Sequence, residues 1–191
     1  MQSKTKTTKN AVYSLNKQSR YITRGLRHDP ASLCVKPDKQ GWVAVDALLA
    51  GLASLNRPLS LDELAQIVRE NDKQRLTFSA DGKRIRAAQG HSIPVDLGLP
   101  VCEPPFVLYH GTVAEKLAAI RANGLKPMSR HAVHLSGTWA VATAVGARRG
   151  RPVILVIDAQ RMTRDGYPFF CSDNGVWLTD IVPVRYIQFP D

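Results

Sequence analysis

The sequence predicts an α+β protein of two lobes, and three observations carry that expectation. Apolar residues at helical spacing dominate as far as Asn71 and then give way to a single alternating hairpin. Prolines at Pro94, Pro100 and Pro104, with Pro105 behind them, interrupt the chain after Ile93 and leave no periodic pattern. Beyond them come many short strand-like runs with only small helical ones, the pattern of a mixed sheet and not of a doubly wound one. The expected boundaries are a disordered basic tail at 1–14, a first lobe at 15–95, a linker at 96–105 and a second lobe at 106–191. Helices followed by a two-stranded wing describe a winged-helix module, a frequent nucleic-acid-binding shape, although shape alone does not fix function.

A chain of 191 residues, 44% hydrophobic and 22% charged, can build real cores in one large domain or two small lobes. It has no apolar run near the roughly 18 residues that a membrane helix needs. Its first ten residues, MQSKTKTTKN, lack the apolar core of a signal peptide. Three scattered cysteines, Cys34, Cys102 and Cys171, suit neither a disulfide framework nor a zinc motif, so a reduced, cytoplasmic protein is expected. The net charge is +10. Residues 1–100 carry 16 basic and 9 acidic side chains and the rest carry 10 and 7, so the excess lies mostly in the first half. Such a field favours a polyanionic partner.

Taken in order, Val12, Leu15, Ile22 and Leu26 recur at near-helical spacing, and Pro30 stops that helix just after Arg27 and His28. Alone, an Arg-His pair in a last helical turn reads as a charge pair at the negative end of the helix. Trp42, Val43 and Val45 suggest a short strand or the start of a helix, with Asp46 as a cap for Leu48, Leu49 and Leu52. Ser60 and Glu63 form a capping-box pattern ahead of Leu64, Ile67 and Val68. The stretch RLTFSADGKRIRAAQ predicts a hairpin, with Leu76 and Phe78 going out, a turn at Asp81-Gly82 and a return through Ile85. Arg75 opens that hairpin and Gln89-Gly90-His91-Ser92 leaves it.

The second lobe centres on FVLYHGTVAEKLAAIRANGLKPMSRHAVHLS, residues 106–136. The strand FVLY is expected to end on His110, Gly111 and Thr112, with Val113, Leu117 and Ile120 starting a helix that Gly124 stops. A basic loop holding Arg130 leads to a second strand, which puts His134 and Ser136 on one face. Further elements are a helix over 138–147, the buried strand VILVI, a short helix at 158–164, a strand at 167–171, a turn at 172–175, and strands at 176–178 and 181–189.

The chain has no Ser-His-Asp grouping, HExxH, CxxC, Walker loop or GxGxxG, so hydrolase, metal and Rossmann readings start weak. Arginines and histidines recur instead in irregular, glycine-flanked places. Arginine forks match phosphate oxygens two at a time, and histidine moves a proton near neutral pH. Chemistry on a phosphate, without a metal, is the expectation.

The motifs LRH, the Arg75-Leu76 hairpin start, RIRAAQGHS, LYHGT, RHAVHLS, VGARRGRPVIL and NGVWLT stand in the order and approximate spacing of the KptA-type RNA 2′-phosphotransferases, which are NAD-dependent. Over about residues 15–189 the chain resembles that family. Ile22, Thr23 and Leu76 depart mildly from the family's usual residues. The resemblance implies an N-terminal winged-helix RNA lobe and a C-terminal lobe like the ADP-ribosyltransferases, with the site in the cleft between them. It assigns catalysis to Arg27, His28, Arg75 and Arg130, and NAD binding to His110, Gly111, Thr112, His134, Ser136 and Val176. NAD is the implied co-substrate, with no metal, and RNA carrying a 2′-phosphate is the implied partner. The implied reaction yields nicotinamide, ADP-ribose 1″,2″-cyclic phosphate and RNA with a 2′-hydroxyl, through a phospho-ADP-ribosylated RNA. Two alternatives stand beside it: ADP-ribosyl capping of terminal nucleic-acid phosphates, and a non-catalytic RNA- or NAD-binding module.

Overall fold

A computed structural model describes the backbone of residues 2–71 and 73–190, and side chains from residue 15 onward within those ranges. The fold is mixed α+β, and the chain divides into two compact units, Met1–Gly98 and Leu99–Asp191.

The first unit opens with α1 (Gln2–His28), whose backbone is already helical through the stretch expected to be a tail. No proline or glycine stands before Gly25, so nothing in the covalent chain interrupts helical propagation. Ile22 and Leu26, one turn apart, are fully buried. Pro30 ends the helix and begins a short 3-10 turn, Pro30–Leu33, which Asp29 caps by accepting from the Ser32 amide. Then come β1 (Val43–Ala44), α2 (Val45–Ser54) and α3 (Leu61–Arg69). Asp46 is not the cap of α2: the helix starts one residue earlier, Ala44 occupies the cap position, and Asp46 lies inside the first turn, where its charge favours the helix N-terminus. The Ser60–Glu63 capping box is present in both directions. The hairpin forms as β2 (Leu76–Phe78) and β3 (Arg84–Ala87), antiparallel with Phe78 opposite Ile85, and β1 joins the other edge of β3. Leu33, Leu48, Leu52, Leu64, Ile67, Leu76 and Ile85 close this core with Ile22 and Leu26. Each such side chain stabilises the fold by about 1.5–3 kcal/mol through burial.

Two stretches of the expected linker are pinned within their own units. The Leu97 carbonyl accepts from Arg86 at 2.8 Å and the Asp96 amide donates to Lys39 at 2.9 Å. Past Gly98, the Cys102 amide donates to the Phe169 carbonyl at 2.8 Å.

The second unit has β4 (Val107–Val113), α4 (Leu117–Asn123), β5 (Val133–Leu135), α5 (Trp139–Gly146), β6 (Pro152–Asp158), α6 (Ala159–Arg164), β7 (Phe170–Cys171), β8 (Trp177–Thr179) and β9 (Ile187–Gln188). They form two antiparallel three-stranded sheets, β4-β6-β9 and β5-β8-β7. His110, Gly111, Thr112 and Val113 lie inside β4, not beyond its end, because full register with β6 continues to Val113 opposite Pro152. Most of 181–189 is not strand: Val184–Tyr186 is a 3-10 turn that buries Tyr186, leaving two residues for β9. Gly124 ends α4 with φ +73°, where a Cβ would stand 2.3 Å from the Val182 carbonyl oxygen, so glycine is required there. Leu108, Leu135, Leu155, Ile157, Met162, Phe169 and Tyr186 form the core. Cys102 and Cys171, far apart in sequence, are neighbours: partial burial first, and then the adjoining Cys102 and Asp173, raise the Cys171 thiol pKa. Among the described residues no helix is long and apolar enough to cross a membrane.

Candidate active site

In the first unit, the last turn of α1 presents Arg27 half-buried and His28 exposed. The segment leaving the wing folds back over that turn. Gly90, at φ +86°, passes so close that a Cβ would lie 3.5 Å from the Arg27 guanidinium carbon, and the Ser92 amide donates to the Arg27 carbonyl at 2.9 Å. The Ser92 hydroxyl is then hydrogen-bonded to His28 Nδ1 at 2.9 Å. Arg75, at the mouth of the hairpin, donates from Nη1 to Asn71 Oδ1 at 2.8 Å. Asn71 is buried, and its Nδ2 donates to Ser19 Oγ on α1. This chain of bonds ties the arginine before β2 to the helix that carries Arg27 and His28.

The three side chains line one open basin of about 410 Å³, together with Arg20, Tyr21, Thr23 and Arg24. Arg27, His28 and Arg75, separated by nearly fifty residues in the chain, are thus brought together. Arg20 and Arg24 were not singled out in the sequence. The steps of four residues from Arg20 to Arg24 and three from Arg24 to Arg27 were the available signal, since they put all three on one helical face.

In the second unit, the Tyr109 and Ser136 backbones exchange hydrogen bonds of 2.9 and 2.8 Å, which set the start of β4 beside the end of β5. His110 Nδ1 lies 3.1 Å from the His134 carbonyl oxygen. A carbonyl only accepts, so Nδ1 carries the proton and the lone pair of neutral His110 is on Nε2. Burial is the largest cause that lowers the His110 pKa, the bond to His134 opposes it, and the charge of Arg149 lowers it further. His134 pairs with Leu178 and Leu135 with Trp177 across β5 and β8; Ser136 follows the last residue of β5 and Val176 precedes the first of β8. Val176 is also held by the turn before it, with Ser172 Oγ donating to its carbonyl at 3.0 Å.

Gly111 and Thr112 lie farther along β4. Thr112 is buried, and Gly111 sits under α5, where a Cβ would come within 1.9 Å of the Ala142 carbonyl oxygen. Close packing of helix on strand is therefore one demand on Gly111. Arg130 stands in the loop before β5, reaching solvent with a partly desolvated guanidinium. That desolvation, and then Arg149 and Arg148, lower its pKa. Arg149 thus bears on both Arg130 and His110, and the three arginines make a positive cluster suited to phosphate oxygens. The edge-on pair Tyr109 and Trp139, with ring centroids 5.9 Å apart, lies on the α5 side of β4. Among the described residues no group of three His, Cys, Asp or Glu side chains could hold a metal ion.

Residues 14–181 match the family model described as RNA 2′-phosphotransferase, Tpt1 / KptA family. The chain is 56% identical to a probable RNA 2′-phosphotransferase of Streptomyces coelicolor over 174 residues, 91% of this chain and 94% of the relative. It is 53% identical to a protein of the same description from Burkholderia pseudomallei, covering 94% of this chain and 98% of the relative. A third, from Herpetosiphon aurantiacus, is 48% identical over 88% of this chain and 93% of its own length. Identity at this level over nearly the whole of both chains, with a family model that spans residues 14–181, establishes that this protein belongs to the Tpt1/KptA family of RNA 2′-phosphotransferases.

Proposed function

We propose that this RNA 2′-phosphotransferase uses NAD as its phosphate acceptor and removes an internal 2′-phosphate from RNA. The observation that carries the reading is the convergence of Arg27, His28 and Arg75 on one basin, with the His28 ring held by Ser92. Two arginine forks and a proton-exchanging imidazole are what a phosphate dianion requires for binding and for later release of its ester oxygen. In this reading the first unit is a winged-helix-like RNA lobe and the second an ADP-ribosyltransferase-like NAD lobe.

The residues of the second unit fit a dinucleotide. Neutral His110, with its Nδ1 proton committed to His134, keeps a lone pair on Nε2 and adds no charge against the cationic nicotinamide ring. His134 lies on β5, Ser136 just after it and Val176 just before β8, and Gly111 and Thr112 continue β4 beyond His110. Arg148 and Arg149 suit the pyrophosphate.

The RNA 2′-phosphate, whose clamp the family resemblance assigns to Arg27, Arg75 and Arg130, attacks C1″ of the nicotinamide ribose. The C1″–nitrogen bond breaks, nicotinamide leaves neutral, and a phospho-ADP-ribosylated RNA results. Alignment of an anionic nucleophile with an electron-poor carbon is chiefly a positioning task. The ribose O2″ then attacks the same phosphorus, its proton is taken up, and the bond to the RNA O2′ breaks. His28 exchanges the protons, taking one from O2″ and delivering one to O2′, while the arginines stabilise the charge that builds on the phosphate. The products are ADP-ribose 1″,2″-cyclic phosphate and RNA with a 2′-hydroxyl.

The test is incubation of the protein with NAD and an oligonucleotide carrying one internal 2′-phosphate. Free nicotinamide, dephosphorylated RNA and the cyclic phosphate support the reading, and His28→Ala is expected to accumulate the adduct. A stable adduct from the unaltered protein, made on terminal phosphates, would replace the reading with capping. Absence of nicotinamide release with either substrate would point to a binding module.

A further inference from the structure

We infer that Arg20 and Arg24 extend Arg27 into a rail along α1 that grips the phosphodiester backbone of RNA beside its 2′-phosphate. The inference rests on the RNA reading above and adds the contacts by which an internal site is preferred to an isolated phosphate.

At 100° per residue, Arg24 and Arg27 lie only about 40° and 20° around the helix from Arg20, and at about 1.5 Å per residue they stand about 6 and 10 Å along its axis. The three therefore form a line. Arg20 and Arg24 are exposed, and both line the basin that holds Arg27, His28 and Arg75. Among the described residues neither takes part in an ion pair, and none of those lining the basin is acidic. Tyr21, in the same basin, is itself covered by a cation, with the Arg57 guanidinium 4.5 Å from the ring centroid. Among the described residues that line the basin, the arginines are the charged side chains.

One 2′-phosphate dianion is satisfied by the forks of Arg27 and Arg75 with His28 beside them. Two further arginines on the same line face charges which that phosphate does not carry. The next anions along an RNA strand are its own 3′,5′-phosphodiesters, spaced along an extended backbone as the rail is spaced along the helix. Such contacts position the strand without reading its bases.

Salt dependence tests this directly. Each phosphate contact to a single strand adds about 0.7 to the slope of log affinity against log salt. Between about 50 and 200 mM salt that is about 2.6-fold per contact, and about sevenfold for two. The probe is a fluorescent hexanucleotide with one internal 2′-phosphate, its dissociation constant measured at both salt concentrations. The unaltered protein is expected to lose about sevenfold more affinity across that range than the Arg20→Ala/Arg24→Ala variant. An Arg20→Lys/Arg24→Lys variant, which keeps the charge, is expected to retain the full slope, separating lost contacts from lost folding. An unchanged slope in the alanine variant overturns the rail. So does a loss of NAD affinity as large as the loss of RNA affinity. Failure of phosphate transfer by the unaltered protein, with the salt result as expected, would overturn the proposed reaction and leave the rail standing.

Discussion

His28 Nδ1 lies 2.9 Å from the Ser92 hydroxyl, joining residues 64 apart in the chain. The bond engages Nδ1 of an otherwise exposed ring, the ring that the proposed reaction uses for proton exchange. Replacing Ser92 with alanine removes one hydrogen bond, with a net value of about 0.5–1.5 kcal/mol. A two- to tenfold slower second step is expected, read as the rate of cyclic phosphate formation from pre-formed adduct. His28→Ala should slow the same step by about a hundredfold or more, as loss of a general acid–base does. Equal rates for Ser92→Ala and the unaltered protein would show that the ring needs no such support.

Asn71 acts through its neighbours, as a positioning residue. Its Oδ1 accepts from Arg75 Nη1 at 2.8 Å and from the Lys73 amide at 3.0 Å, and its Nδ2 donates to Ser19 on α1. Asn71→Leu strands buried polar groups and is expected to lower stability by about 1–3 kcal/mol. The conservative Asn71→Asp keeps the acceptor for Arg75. Recovery of RNA affinity in the aspartate variant but not in the leucine variant, at a temperature where both are folded, would identify the role as orientation of Arg75.

The lowered pKa of His110 has a definite sign in folding. The unfolded state, with a histidine pKa of about 6.5, binds the proton more readily than the folded state. Above that value the contribution of neutral His110 is complete; as pH falls below it, stability is lost. Urea midpoints at about pH 7.5 and 5.5 should therefore differ more for the unaltered protein than for His110→Asn.

Arg149 adds to the effect of burial at that site. Its charge lowers the pKa of both His110 and Arg130. Arg149→Ala should raise the His110 pKa, measurable by NMR titration of the ring, and should weaken ADP-ribose binding about three- to tenfold through loss of an exposed charge-assisted contact. A His110 pKa that stays in place would mean that burial alone depresses it.

Gly111→Ala separates packing from ligand binding. Its Cβ would meet backbone, 1.9 Å from the Ala142 oxygen, and backbone cannot step aside as a side chain can. A destabilisation of about 2–3 kcal/mol is expected from the overpacking, with α5 displaced from β4 whether or not NAD is present. Thermal melts with and without NAD check this: a deficit that NAD abolishes would assign the glycine to the pocket instead.

Much of the secondary structure was legible because helical spacing, capping pairs and hairpin turns are local properties. Ile22 with Leu26, Ser60 with Glu63, and the Asp81-Gly82 turn between Phe78 and Ile85 each stand within a few residues of one another. The readings that failed are those where neighbours outweigh local pattern. The β4 strand runs on through His110-Gly111-Thr112 because β6 offers a partner at every step, and Val184–Tyr186 coils so that Tyr186 enters the core. By itself the sequence determined the mixed α+β character, the identity of the arginine and histidine motifs, and their order. Only the tertiary structure decided that Arg75 shares a basin with Arg27 and His28, that Ser92 holds the His28 ring, and that the charge of Arg149 bears on His110. Those relationships span tens of residues, and the packing of helices against sheets sets them, a condition that no local pattern contains.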